Sequence, residues 1–255
     1  MRTLIAIPVY NEERYVAGVL RRVLREGHDV LVVNDGSTDG TAEALRGFPV
    51  SVITNGRNVG YGRAIRAAFE HAQTGGYDWV VTMDCDEQHE PAAIPRFLGA
   101  AATGEWDIVS GSRYLAPAPE DDAPPRDRRA INAEITGELD RRLGGLLFGA
   151  GERMTDAFCG FKAHRVSSLA RLLLTEDGYA FPMQLWVQAA AAGLRATEIR
   201  VRLIYNDPSR SFGGPLDDPG VRLAHYRRVL HCELKRCAHR LPPGALDDVH
   251  VCCCC

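Results

Sequence analysis

Short apolar runs alternate with helix-period segments through the first 114 residues, and each run ends in polar side chains. The segments "TLIAIPVY" (3–10), "DVLVVND" (29–35), "VSVITN" (50–55), "DWVVTMD" (78–84) and "WDIVSGSRY" (106–114) read as strands, because strands covered on both faces are short continuous apolar runs. Between them, Val16, Val19, Leu20, Val23 and Leu24 recur at helical spacing. "STDGTAEALRGF" (37–48) opens with good N-cap residues. "GYGRAIRAAFEHAQ" (60–73) sets Ile65, Ala68 and Phe69 on one face, and "PAAIPRFLGAAA" (91–102) completes the pattern. Such alternation predicts a single α/β domain with a mostly parallel central sheet and helices on both faces. Ligands of such sheets bind at the carboxyl ends of the strands. The segments "YNEE", "NDGSTDG" and "DCDEQ" all fall at those ends, so three separate stretches converge on one edge.

After residue 114 the pattern changes. "LAPAPEDDAPPRDRR" (115–129) is rich in Pro and charge and reads as a mobile loop. "RRAINAEITGELDRRLG" (128–144) reads as a helix with Ile131, Ile135, Leu139 and Leu143 four apart. "FPMQLWVQAAAAG" is a second helix, ended by Gly193. "RATEIRVRLIY" alternates like a strand, with Ala196, Glu198, Arg200 and Arg202 on one face. "GVRLAHYRRVLHCELKRCAHR" (220–240) reads as a basic helix.

The bulk numbers exclude several classes. A net charge of −3 gives no basic field for nucleic acid. No apolar run reaches the roughly 18 residues of a membrane span. The start lacks the long apolar stretch and cleavage site of a signal peptide. Of eight cysteines, Cys85, Cys159, Cys232 and Cys237 are scattered and four close the chain. That is no secreted disulfide framework, so the reading is cytoplasmic with reduced thiols.

Asp84 and Asp86, two apart on a strand end, can face one side with Cys85 turned away. Gln88 could add a third oxygen. Such a set suits a hard cation, Mg²⁺ or Mn²⁺, whose shell substrate phosphates complete. An acidic turn is the plainer alternative. Asp35 ends the second strand and can accept from a ribose or base edge; its alternative is turn chemistry. The chain has no G-x-G-x-x-G after its first strand and no G-x-x-x-x-G-K-[ST], so dinucleotide and P-loop readings lose support. Arg126, Arg128 and Arg129 crowd a helix start, which is unfavourable unless an anion sits there.

In this order and spacing, "IPVYNEE", "VVNDGSTDGT", "NVGYGRAIRAAF", "MDCDEQHEP" and "VSGSRY" resemble the family-two glycosyltransferases of GT-A fold, in their dolichol- or polyprenyl-phosphate branch. The likeness is dense over 3–114 and thinner through "DAFCGFKAHR" (156–165) and "DPSRSFGG" (207–214). It implies a GT-A domain over 1–240: a nucleotide-sugar half (1–114), an acceptor half (115–215) and a C-terminal helix (217–240), with 241–255 a flexible Cys-rich tail. It implies that Pro8, Tyr10 and Glu12 line the nucleotide pocket and Asp35 holds the base or ribose. Asp84, Asp86 and Gln88 would hold the metal on the donor diphosphate, and Arg210 would reach the pyrophosphate. Arg113, Arg128 and Arg129 would meet an acceptor phosphate, for which the guanidinium fork is suited. The implied reaction is inverting transfer of a hexose from a UDP- or GDP-sugar, most simply to a polyprenyl phosphate at the inner face of a membrane.

The chain departs from the family pattern at Asn34, Cys85, Glu87 and Gln184, the last standing where many relatives carry a carboxylate. That absence favours a phosphate acceptor, which needs no general base; with a hydroxyl acceptor Asp156 would be the base candidate. The acidic "PAPEDDAPP" points the other way. A non-catalytic nucleotide-sugar sensor is the remaining alternative. The tail "VHVCCCC" reads as a flexible end, with soft-metal binding or acylation as alternatives.

Overall fold

A computed structural model describes residues 1–143, 145–149, 151–207 and 211–249. Arg210, His250 and the four terminal cysteines, each given a reading above, lie outside the described residues. The first half follows the expected alternation: β1 (Thr3–Val9), α1 (Val16–Val23), β2 (Asp29–Asn34), α2 (Thr41–Leu45), β3 (Ser51–Thr54), α3 (Tyr61–Thr74), β4 (Trp79–Thr82), α4 (Ile94–Ala102) and β5 (Ile108–Ser112). The second half adds α5 (Arg126–Leu143), β6 (Lys162–Arg165), α6 (Val166–Leu169), α7 (Phe181–Ala191), β7 (Ala196–Arg200) and α8 (Pro219–Arg236).

One seven-stranded sheet results, in the order β3-β2-β1-β4-β6-β5-β7. All neighbours run parallel except β6, which is antiparallel to both β4 and β5. This inserted strand escapes a sequence reading because "KAHR" carries no apolar run, yet Lys162 and His164 are buried.

Period-two alternation sorts the side chains into two layers. Ile5, Ile7, Val30, Val32 and Val81 face α1 and α4. Leu4, Ala6, Leu31, Val33 and Val80 face α3, α6 and α7. Each fully buried branched side chain contributes about 1.5–3 kcal/mol, so a one-residue slip in any central strand would expose a whole row. A third cluster joins α5, α7 and α8 around Trp186, whose indole Nε1 donates to the Ala157 carbonyl at 3.0 Å.

The N-terminus of α3 is pressed against the chain before α7. Gly60 sits at φ 108°, and a Cβ there would lie 2.3 Å from the Asp177 carbonyl oxygen. Only glycine fits, which accounts for this part of "NVGYGRA". The 118–122 segment, expected to be mobile, is instead tied down: Ala118 N–H donates to Asp121 Oδ2 at 2.8 Å and Leu203 N–H to Asp121 Oδ1 at 3.0 Å.

Candidate active site

The carboxyl ends of β1, β2, β4 and β5 open onto one cavity of about 600 Å³. Pro8 lines it near the end of β1, Tyr10 and Glu12 after β1, Asp35 after β2, and Asp84, Asp86 and Gln88 after β4. Arg113, after β5, and Arg128, from α5, complete the expected residues that reach it.

The first two motifs interlock. Asn11, in the left-handed region at φ 56°, accepts the Thr38 amide at 2.8 Å. Glu12 N–H donates to Thr41 Oγ1, and Glu13 Oε2 accepts the Gly40 amide. "YNEE" and "STDGT" are thus one structure built from two strand ends. Asp35 is buried, and its carboxylate accepts from Asn55 Nδ2 (2.7 Å) and from the Val59 (3.0 Å) and Gly60 (2.8 Å) amides. It fixes the turn that leads into α3 while facing the cavity.

The loop after β4 carries the next motif. Asp84 and Asp86 line the cavity, and Cys85 between them, buried in the core, borders it as well. Asp84 N–H donates to His89 Nδ1 at 3.0 Å, so that nitrogen carries no proton and the ring is neutral. Burial lowers the His89 pKa to about 4, outweighing the nearby Asp86 charge. The Tyr61 hydroxyl hydrogen-bonds to Asp84; burial first, then the Asp84 charge, push its pKa well up. Glu87, at φ 61°, ion-pairs with Arg22 at 2.6 Å, which gives this departure from the family pattern an anchor.

Gly160 lies against the Asp84 carboxylate, and a Cβ there would come 2.5 Å from Oδ2. Gly160→Ala should therefore displace that carboxylate and lower kcat by roughly tenfold to a hundredfold, since misplacements near 1 Å carry such penalties. Steady-state rates at saturating donor, with circular dichroism as a folding control, check this.

The structure corrects three readings. Asp156 does not line the cavity: it is fully buried, and Arg113 Nε (2.7 Å) and Nη2 (2.9 Å) fork onto its two oxygens. Burial would raise its pKa, but the Arg113 charge and hydrogen bonds and the Lys162 charge outweigh it, and the net shift is downward. A sequestered, salt-bridged carboxylate does not serve as a general base; it aims Arg113. Arg129 is exposed and outside the cavity wall, whereas Arg128 lines it, with Phe212 and Tyr205 rings 4.8 Å and 5.2 Å away. Gln184 does not line the cavity. Its Oε1 accepts the Thr175 and Glu176 amides and its Nε2 donates to Glu233, holding the loop that carries Tyr179 to the cavity. An argument about the acceptor from the residue at that position therefore loses its support.

Sequence reasoning missed Arg222 and a set of rings. Arg222, buried at 3% exposure, lines the cavity, lies 4.5 Å from the Phe212 ring, and ion-pairs with Asp127. Tyr114, Phe158, Tyr179 and Tyr226 add aromatic surface. The i, i+4 spacing of Arg222 and Tyr226 on the basic helix was the available signal. Among the described residues, no three His, Cys, Asp or Glu side chains cluster to hold a metal unaided.

Comparison with known proteins agrees with this fold. The family model described as glycosyl transferase family 2 matches residues 4–172. An undecaprenyl-phosphate mannosyltransferase of Micrococcus luteus is 31% identical, over 89% of this chain and 94% of its own length. A polyprenol monophosphomannose synthase of Mycolicibacterium smegmatis is 31% identical, over 78% and 76%. Among solved structures, glucosyl-3-phosphoglycerate synthase of Mycobacterium tuberculosis, in complex with Mn²⁺, UDP and phosphoglyceric acid, aligns with a TM-score of 0.66. It shares 20% identity and covers 95% of this chain and 80% of its own. At that identity the likeness bears on the GT-A fold.

Proposed function

The chain belongs to glycosyl transferase family 2, and from that premise we propose that it moves a hexose from a nucleoside diphosphate sugar to a polyprenyl phosphate. The observation that carries this reading is a single cavity lined both by strand-end carboxylates with an amide and by Arg113, Arg128 and Arg222 among aromatic rings. The names of the two relatives, both polyprenyl-phosphate enzymes, support the same acceptor class.

In this reading Pro8, Tyr10, Glu12 and Asp35 receive the nucleoside. Asp84, Asp86 and Gln88 would hold Mg²⁺ or Mn²⁺ against the diphosphate. Their oxygen atoms suit a hard cation, and an incomplete protein cage fits ions that take only one or two carboxylates and complete their shell with substrate phosphate. When bound, the ion supplies charge neutralisation on the leaving diphosphate. The guanidinium groups orient the acceptor phosphate, which is already ionised near neutral pH and attacks without a base. That agrees with an Asp156 withheld from solvent. A single displacement inverts the anomeric carbon. No helix among the described residues is long and apolar enough to cross a membrane; the acceptor would be met from a membrane surface.

The test incubates the full chain with labelled GDP-mannose or UDP-glucose, Mn²⁺ or Mg²⁺, and undecaprenyl phosphate in detergent. Label should enter the organic phase in an acid-labile product. Transfer only to sugar hydroxyls would replace the acceptor, and donor binding with no turnover would leave a sensor.

A further inference from the structure

The alternating polar face of β7 is not accounted for by the site itself: Glu198 and Arg200 line no part of the cavity. Each instead reaches a segment that carries an acceptor-side arginine or its support. Glu198 Oε1 accepts the Asp156 amide at 2.9 Å, and Oε2 accepts the Thr155 amide at 3.0 Å and its hydroxyl at 2.5 Å. This fixes the turn from which Asp156 grips Arg113 through its backbone N–H and two guanidinium nitrogens.

Two residues along, Arg200 does the equivalent for Arg128. Its Nε donates to the Ala116 carbonyl at 2.7 Å, and its Nη2 meets Glu120 at 2.9 Å and Asp121 at 3.1 Å. The acidic segment so gathered holds the next stretch of chain. Asp121 accepts the Leu203 amide at 3.0 Å and Asp122 the Tyr205 amide at 2.7 Å. Leu203 and Tyr205 are cavity wall, and Tyr205 is one of the rings beside Arg128. The carboxylates of "PAPEDDAPP" are therefore occupied by Arg200 and by backbone amides, and do not form an acidic patch turned toward an incoming phosphate.

We infer that Glu198 and Arg200 are positioning residues which, from one face of β7, set the aim of Arg113 and the wall behind Arg128 toward the acceptor phosphate. The inference rests on the acceptor reading above. Side chains two apart on a strand project the same way about 6.6–6.8 Å from each other, so a single rigid strand can index two arginines that lie on different elements.

Glu198→Ala, Glu198→Gln and Arg200→Gln, made in the full chain, test it. With undecaprenyl phosphate as the acceptor probe, Glu198→Ala and Arg200→Gln should each raise the acceptor KM about tenfold. The donor KM and UDP or GDP affinity should stay at the wild-type value. Glu198→Gln keeps an oxygen for the Thr155 and Asp156 amides and should recover a near wild-type acceptor KM. An unchanged acceptor KM, or a donor KM that rises in step with it, overturns the inference. If Glu198→Ala does not fold, the part-exposed Arg200→Gln decides alone. If the wild-type chain transfers nothing to undecaprenyl phosphate, the acceptor reading has failed by itself. Amide hydrogen exchange then decides: faster exchange at Leu203 and Tyr205 in Arg200→Gln supports the positioning role, and unchanged exchange overturns it.

Discussion

Asp84→Asn should reduce sugar transfer about a thousandfold or more while leaving the fold intact. Removing one preorganised electrostatic contact from a reacting centre costs about 10²–10³ in kcat, and in the proposed reading the lost group is a full charge on the side of the donor diphosphate. The substitution keeps the shape of the side chain. It adds no buried unpaired charge, because the Asp84 side chain is 34% exposed. The Tyr61 hydroxyl and the His89–Asp84 backbone hydrogen bond can both persist. Stability should therefore change little, and thermal unfolding without ligand serves as the control. Two readouts separate loss of metal from loss of fold: initial rates at saturating donor, and the Mn²⁺-dependent part of the thermal shift given by UDP. In the wild type, chelation should suppress transfer, and the ion should add to nucleotide stabilisation by mass action. In Asp84→Asn both metal effects should vanish. A variant that transfers at the wild-type rate and still responds to chelator would remove the carboxylate pair from the mechanism.

Much of this site was legible before any coordinates. Where polar residues followed apolar runs, the strand ends converged as the parallel topology demands, and Asp84 and Asp86 reach the cavity from the loop that follows β4. Helix phase was legible too, although it was not used. Arg128 stands three before Ile131 and four before Asn132, so it shares their inward face, whereas Arg129 is turned by about 100°. Pairing over long sequence distance was not legible. Nothing local in "VSGSRY" or "TDAFCG" says that Arg113 and Asp156, 43 residues apart, close onto each other. A carboxylate already held by an arginine looks, in sequence, like one available for catalysis. The acidic "PAPEDDAPP" hid its pairing in the same way, since its partner Arg200 lies about 80 residues on. Strand β6 stayed hidden because its burial follows from its neighbours in the sheet and not from its own composition.

The Arg113–Asp156 pair should govern stability as well as aim. Asp156→Asn leaves the Arg113 guanidinium without its counter-charge and turns an amide N–H₂ toward it. Breaking a buried pair by removing one partner typically costs 3–5 kcal/mol. Arg113 keeps 21% exposure to the cavity, so the lower end, about 3 kcal/mol, is expected. At about 2–4 °C per kcal/mol for a domain near this size, Tm should fall by roughly 10 °C. The sign of the pH dependence follows from the downward shift of the Asp156 carboxyl. A carboxylate with a depressed folded-state pKa contributes its full stabilisation above the unfolded value of about 3.9, and loses it as pH falls through the folded value. Urea unfolding should therefore show a constant gap between wild type and Asp156→Asn from pH 7 down to about 4, narrowing only in more acid solution. Adding Arg113→Met to Asp156→Asn should recover part of the lost stability, because the stranded charge is gone, while acceptor binding stays impaired. A gap that is small at pH 7, or a double variant no more stable than Asp156→Asn, would show that the pair is not what holds this turn.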